Sequence, residues 1–302
     1  MTYIIENAHV LKGQVLSQTS MLVEGNQIIA SKPSFNMYKH IRMNVDSFIM
    51  TPTHVLFDSN LPLTRSFLER KDHYVKNFIL RGCTCVLTTI KINFEKDLEA
   101  SLKQAKSNLM DSPIDYVIGV SILPALLTPA FIRQCKRVKV PAVFVEIKNM
   151  KELNGIPWGW VREALFPFNS PLIPVFKGNL TKKEKAAMTS SWNELMKQEK
   201  IPAVYGEIEE SRPLPRKILN KTGIFPQKAN LHSRGELSYN LYRKSAETNE
   251  LDEYGLFSTQ YENLVVTVDK GRVLRAGNEV YYRPGKGENV IIKTPGYFTD
   301  NY

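Results

Sequence analysis

Apolar residues in the first fifty positions come in short runs punctuated by turn residues. Tyr3-Ile4-Ile5 leads to Ala8-His9-Val10-Leu11, a turn at Lys12-Gly13, and then Met21-Leu22-Val23. Glu24-Gly25-Asn26 reads as a second turn before Gln27-Ile28-Ile29-Ala30, and two apolar runs about a Gly-Asn turn predict a β-hairpin. From Phe48 the rhythm changes to strand, helix, strand, with strands expected at 48–57, 85–90, 116–123, 142–147, 172–176 and 203–208. Residues at helical spacing lie between them. Phe67, Leu68, Tyr74, Val75, Phe78 and Ile79 share one face that Gly82 ends, and Phe94, Leu98, Leu102 and Leu109 make a second stripe. Thr181 with Glu184 three residues on is a capping-box pattern ahead of Met188, Trp192, Leu195 and Met196. Repeated βα units predict a parallel sheet, open or closed. After about Lys221 the helices are expected to stop. Strands return at 237–242, 264–268 and 290–292, separated by turns at Lys270-Gly271 and Pro284-Gly285-Lys286-Gly287. Both ends are then β-rich, and the simplest packing joins 1–50 with 223–302 as one discontinuous β domain beside an α/β domain at 51–222.

Composition narrows the class without naming a function. Hydrophobic residues make up 43% and charged residues 23% of the 302, as in ordinary soluble domains. No apolar run reaches the roughly 18 residues that span a bilayer, so no membrane partner is expected. Met1-Thr2-Tyr3-Ile4-Ile5-Glu6-Asn7 lacks a basic flank before an apolar stretch, so no secretory signal is expected and the expected address is cytoplasmic. Cys83, Cys85 and Cys135 are an odd number in a large chain, which fits reduced core thiols; the first two have no histidine close by to complete a zinc site. The formal charge of +10 favours acidic partners through long-range attraction. Its densest stretch, 133–139, has four basic residues and no interleaved aromatic platform, so it reads as a solvated helix face and not a nucleic-acid groove.

Four stretches carry a resemblance. They are Ile4-Ile5-Glu6-Asn7-Ala8-His9-Val10 with Leu22-Val23-Glu24-Gly25-Asn26-Gln27-Ile28; Phe48-Ile49-Met50-Thr51-Pro52; Gly223-Ile224-Phe225-Pro226-Gln227-Lys228 with Gly235-Glu236-Leu237-Ser238-Tyr239-Asn240-Leu241; and 265–271 with 284–287. In this order they are similar to the amidohydrolase superfamily, within it to the dihydroorotase and hydantoinase branch. The resemblance implies an α/β fold, a (β/α) TIM-type barrel beside a small β-sandwich formed by both termini. About 170 residues separate Thr51 from Lys221, against roughly 250 for a full eight-fold barrel, so a shortened or incomplete barrel is expected.

The resemblance also implies metal ligands, and here the chain departs from it. The family pattern ends the first barrel strand in two histidines one residue apart, which point the same way and grip one divalent cation. Counting on from Pro52, those positions are Asp58 and Asn60. The family further uses a carbamate-bearing lysine, two later histidines and an aspartate. The five histidines here, His9, His40, His54, His73 and His232, end no expected barrel strand in the required way. No metal or other cofactor is therefore expected.

The expected strand ends carry Asp58, Asn60, Lys91, Glu146, Lys148, Lys177 and Glu207, the candidate ligand-binding set. Glu146 and Lys148, two apart, are expected to share a face, and Lys148 is the nearest match to the carbamate lysine. Two readings stand. In the first the chain is a non-catalytic amidohydrolase-like scaffold, regulatory or ligand-binding protein, with the mouth charges satisfying one another. In the second it is a divergent, metal-independent hydrolase of C–N (cyclic amide) bonds, with Asp58, Lys148 and Glu207 as candidate catalytic groups. Expected partners are a small acidic or zwitterionic ligand, and another protein or a second copy of the chain. No local Ser-His-Asp or Cys-His arrangement and no phosphate-binding Gly-rich loop is present.

Overall fold

The computed structural model describes residues 1–249 and 251–296. It is a mixed α/β chain with two separate sheets. One is mostly antiparallel and contains β1 (Thr2–Lys12), β2 (Val15–Glu24), β3 (Gln27–Lys32), β4 (Ile41–Asn44) and β5 (Phe48–Pro52). The second is built from β6 (His54–Phe57), β7 (Cys83–Lys91), β8 (Asp115–Ile122), β9 (Val143–Ile147) and β10 (Leu172–Phe176), in the order β10-β9-β8-β7-β6. The chain then returns to the first sheet with β11 (Tyr239–Arg243), β12 (Leu264–Asp269), β13 (Arg272–Ala276) and β14 (Glu279–Val280). That sheet runs β14-β13-β12-β11-β5-β1-β2-β3, with β4 beside β1. Helices α1 (Phe67–Asn77), α2 (Leu98–Asn108), α3 (Pro129–Arg137), α4 (Trp158–Leu165), α5 (Lys182–Gln198) and α6 (Arg216–Thr222) alternate with or follow the strands of the second sheet. Two short helices, α7 (Ala246–Asn249) and α8 (Glu253–Thr259), come later, where helices were expected to have stopped.

Two compact units result: Met1–Leu56 with Arg65–Cys85 and Pro226–Pro284, and Phe57–Thr64 with Val86–Phe225 and the described residues from Gly285 on. In the first unit the hairpin at Gly25-Asn26 forms as the pattern predicts, with Gly25 in the left-handed region at φ 60°. Strand β1 buries Ile5, Ala8 and Val10 in one cluster although their parity differs. The β-bulge between Ile5 and Ala8, where Asn7 sits at φ 56°, inserts the residue that restores them to one face. Ile4 is left to pack with Leu22 and Phe35 on the other. Strand β11 pairs antiparallel with β5, so N- and C-terminal stretches share this sheet.

Tight backbone approach fixes one corner of this unit. Gly82 closes the turn after α1 at φ 75°, and a Cβ there would lie 2.6 Å from the Asn240 side chain. Asn240 is buried, donates to the Gly82 carbonyl at 3.0 Å and accepts from Thr267 Oγ1 at 2.9 Å. Gly82→Ala therefore combines a left-handed alanine with displacement of a satisfied buried amide. A loss of about 2–4 kcal/mol is expected from urea midpoints.

The chain differs from the expected strands in three places. The run 48–57 is two strands in two sheets, split at Thr53. The stretch 203–208 is not a strand and keeps one bridge, Ala203 to Leu172; 290–292 is not a strand either, and the nearest pairing is one bridge between Asn289 and Tyr116. Two helix faces are also narrower than their spacing suggests, since Phe67, Leu68 and Phe94 are exposed while Tyr74, Leu98, Leu102 and Leu109 are buried. The capping box at Thr181 and Glu184 forms in full at the start of α5. Cys83, Cys85 and Cys135 are free and buried. Among the described residues no helix is long and apolar enough to cross a membrane.

Candidate functional site

Four strand ends of the parallel sheet converge on one carboxylate. Glu146, on β9, is buried and accepts from Ser121 Oγ of β8 at 3.0 Å. Its other oxygen takes Lys91 Nζ, from the last residue of β7, at 3.0 Å. Lys177, just past β10, brings its ammonium to 3.7 Å. Burial pushes the Glu146 carboxyl up. The hydrogen bonds from Lys91 and Ser121 and the charges of Lys177 and Lys91 together outweigh it and hold the group below the usual carboxylate range. Both lysines stay about half exposed, so they present ammonium groups to solvent above a buried anion.

Beneath this polar layer lies an aromatic one. Phe144, two residues before Glu146 and so on the same face of β9, stacks on Phe57 with ring centroids 5.0 Å apart and planes 7° from parallel. β6 and β9 are separated by two strands, so the sheet must curl for these rings to meet. Gly119 on β8 makes room: a Cβ there would lie 3.0 Å from the Phe144 ring.

An irregular segment, 202–211, runs between the two edges of this sheet. At one end Leu172 N donates to Pro202 O and Val204 N to Leu172 O, both at 2.9 Å. At the other, Ser211 N donates to Phe57 O at 2.9 Å, and Ser59 N reaches the Glu210 carboxylate at 3.1 Å. Between them Glu207 accepts the Phe176 N–H at 2.6 Å and pairs with Lys185 of α5. Trp192 of α5, fully buried, holds the segment from behind by donating Nε1–H to Val204 O at 3.0 Å.

The structure thus joins Lys91, Glu146 and Lys177 and sets Glu207 on the segment alongside. Asp58 is buried past β6, where its Oδ1 accepts the Asn60 N–H at 2.8 Å and so spends one oxygen on its own turn; Asn60 is exposed. Lys148 departs from expectation: β9 ends at Ile147, and Lys148 lies beyond it, exposed, with its N–H donating to the Glu152 carboxylate. Sharing a face with Glu146 requires the strand to continue, and it does not. Ser121 and Lys185 were missed. Ser121 sits two residues after Gly119 on the same face, a readable signal, whereas Lys185 reaches Glu207 from a helix by tertiary placement that no local pattern announces.

Histidine is absent from the second unit, since all five lie in the first. His54 opens β6 and is buried against Tyr242 and Phe257, at the strand's start and away from the mouth. No group of three or more His, Cys, Asp or Glu suited to a metal ion occurs among the described residues.

No protein-family model matches the sequence, and no curated protein does. Solved structures do match. The crystal structure of dihydropyrimidinase from Brevibacillus agri is similar over 97% of this chain and 99% of that one, with a TM-score of 0.61 and 11% identity. The fold of the chain is similar to that of this enzyme. L-hydantoinase from Arthrobacter aurescens is similar over 96% of this chain and all of that one, at 11% identity and a TM-score of 0.58. A prolidase complexed with N-methylphosphonate-L-proline is more distant, at 8% identity and a TM-score of 0.52. At these identities the likeness concerns the fold alone.

The metal pair implied by the resemblance can be tested against the residues in place. At Asp58 and Asn60, the positions the count from Pro52 assigns to that pair, Asp58 is already hydrogen-bonded to its turn. Glu146 is matched by two ammonium groups and Glu207 by one. Carboxylates neutralised by lysine are poor donors for a dication, which must first displace those partners. This donor set does not fit a two-cation centre.

Proposed function

We propose that the chain is a non-catalytic amidohydrolase-like protein, a scaffold, regulatory or ligand-binding member of its fold. In this reading an incomplete barrel, 51–222, sits with a β-sandwich formed by 1–50 and 223–302, and the metal ligands of the catalytic relatives are lost. The observation that carries it is Glu146 held by Lys91, Lys177 and Ser121, where a hydrolytic centre needs open metal ligands. The half-exposed lysines suit a small acidic or zwitterionic ligand, whose carboxylate would meet Lys91 and Lys177.

Hydantoin and dihydrouracil ring opening, assayed with zinc or manganese added, tests the reading. No turnover above the protein-free rate is expected. Turnover that Asp58→Ala, Lys148→Ala or Glu207→Ala abolishes in a folded protein would establish the divergent hydrolase instead.

A further inference from the structure

Away from the mouth, the second unit holds a cavity of about 330 Å³ at the opposite, N-terminal end of β10. That volume lies at the lower end of small-molecule sites, roughly 300–1,000 Å³. Arg162, Lys200 and Lys221 line it, together with Phe166, Tyr205 and Ala203, and among the described residues no carboxylate does. Lys221 donates to Ala203 O and lies 4.3 Å from the Tyr205 ring centroid; Lys197 approaches the same ring at 5.6 Å. Arg162 Nη1 donates to Glu199 O at 3.1 Å. Among the described residues none of Arg162, Lys197, Lys200, Lys217 and Lys221 forms an ion pair.

Helix ends account for part of this charge. Arg162, Lys197 and Lys221 lie in the last turns of α4, α5 and α6, where cations meet the negative end of the helix dipole. Each such end carries about half a negative charge, so three offset about 1.5 of the five positive charges. The surplus stays beside a concave, aromatic-walled space. Crowding is felt at Lys221, whose pKa is lowered by burial and by the neighbouring Lys217.

We infer that this cavity is a binding site for a small organic anion that joins a dianionic phosphate head to a planar ring, of the size of a nucleoside monophosphate. Arg162, Lys200 and Lys221 come from three segments and line the same space, so that one multiply charged head could draw on all three. Phe166, largely exposed, offers a face for the ring. The site is independent of the mouth and of whether the chain hydrolyses anything.

Calorimetric titration of the full chain with adenosine monophosphate, inorganic phosphate and adenosine tests this. The monophosphate is expected to bind once per chain with a dissociation constant at or below roughly 100 μM. It should bind at least tenfold tighter than either fragment. Arg162→Gln should weaken it tenfold or more. Lys200→Asn should do the same without straining the fold, because Lys200 occupies a left-handed backbone position, φ 54°, that asparagine tolerates. Glu146→Gln, at the mouth, should leave binding unchanged. Absence of saturable binding by the monophosphate, or binding that neither Arg162→Gln nor Lys200→Asn weakens, overturns the inference.

Discussion

Phe144→Ala is expected to lower stability by about 4–5 kcal/mol, read from urea denaturation followed by circular dichroism. Phenylalanine truncations in cores cost about 3–5 kcal/mol, the spread depending on how far neighbours collapse into the hole. Here collapse is poor. Phe144 is buried, its face is occupied by Phe57, and the residue beneath its edge is Gly119, which has no side chain to move. The parallel stack adds about 0.5–1.5 kcal/mol to what area alone predicts. Phe144→Leu keeps most of the volume and should cost much less, about 1.5 kcal/mol. A loss below about 1 kcal/mol for the alanine variant would mean that the rings do not form the floor of the mouth.

Acid should destabilise the first unit through His54. Its imidazole is fully buried, 3.1 Å from the Tyr242 hydroxyl and edge-on to Phe257, and burial pulls its pKa from 6.5 down to about 4. The folded state therefore refuses a proton that the unfolded chain accepts. The sign follows: the contribution is full above pH 6.5, declines as pH falls below it, and is gone once pH passes about 4. A shift of this size corresponds to about 3 kcal/mol at 1.36 kcal/mol per unit. Wild type should lose that much more stability than His54→Gln between pH 7 and pH 4, the variant having no proton to exclude. Burial and Lys12 lower His232 as well, so a residual slope of the same sign is expected in both proteins. Parallel pH profiles would refute the assignment.

Much of the fold was legible where one residue type leaves the chain a single option. Gly25 takes the left-handed position of the β2–β3 turn, and Thr181 with Glu184 starts α5 by satisfying its first N–H groups. The division of 48–57 was not legible. Every position from 49 to 58 is buried, so no alternation of buried and exposed positions marks Thr53 as the point where the chain changes sheets, although Pro52 beside it lacks the N–H of a continuous central strand. The failed strand at 203–208 carried a warning: Gly206 sits at φ 124°, a conformation closed to other residues, in the middle of the expected run. Of the mouth, Lys91, Glu146 and Lys177 were readable as strand-end residues. That such charges satisfy one another was one of the readings of the sequence, but which of them pair was not legible, because curl and strand order decide which ends meet.

The central claim is that these mouth charges are satisfied by each other and not by a metal pair. Elemental analysis of protein purified without chelator tests it most directly. The account predicts well under one zinc, manganese or iron per chain, with the same trace level in Asp58→Asn and Glu146→Gln. One or two metal ions per chain, lost in either variant, would contradict it.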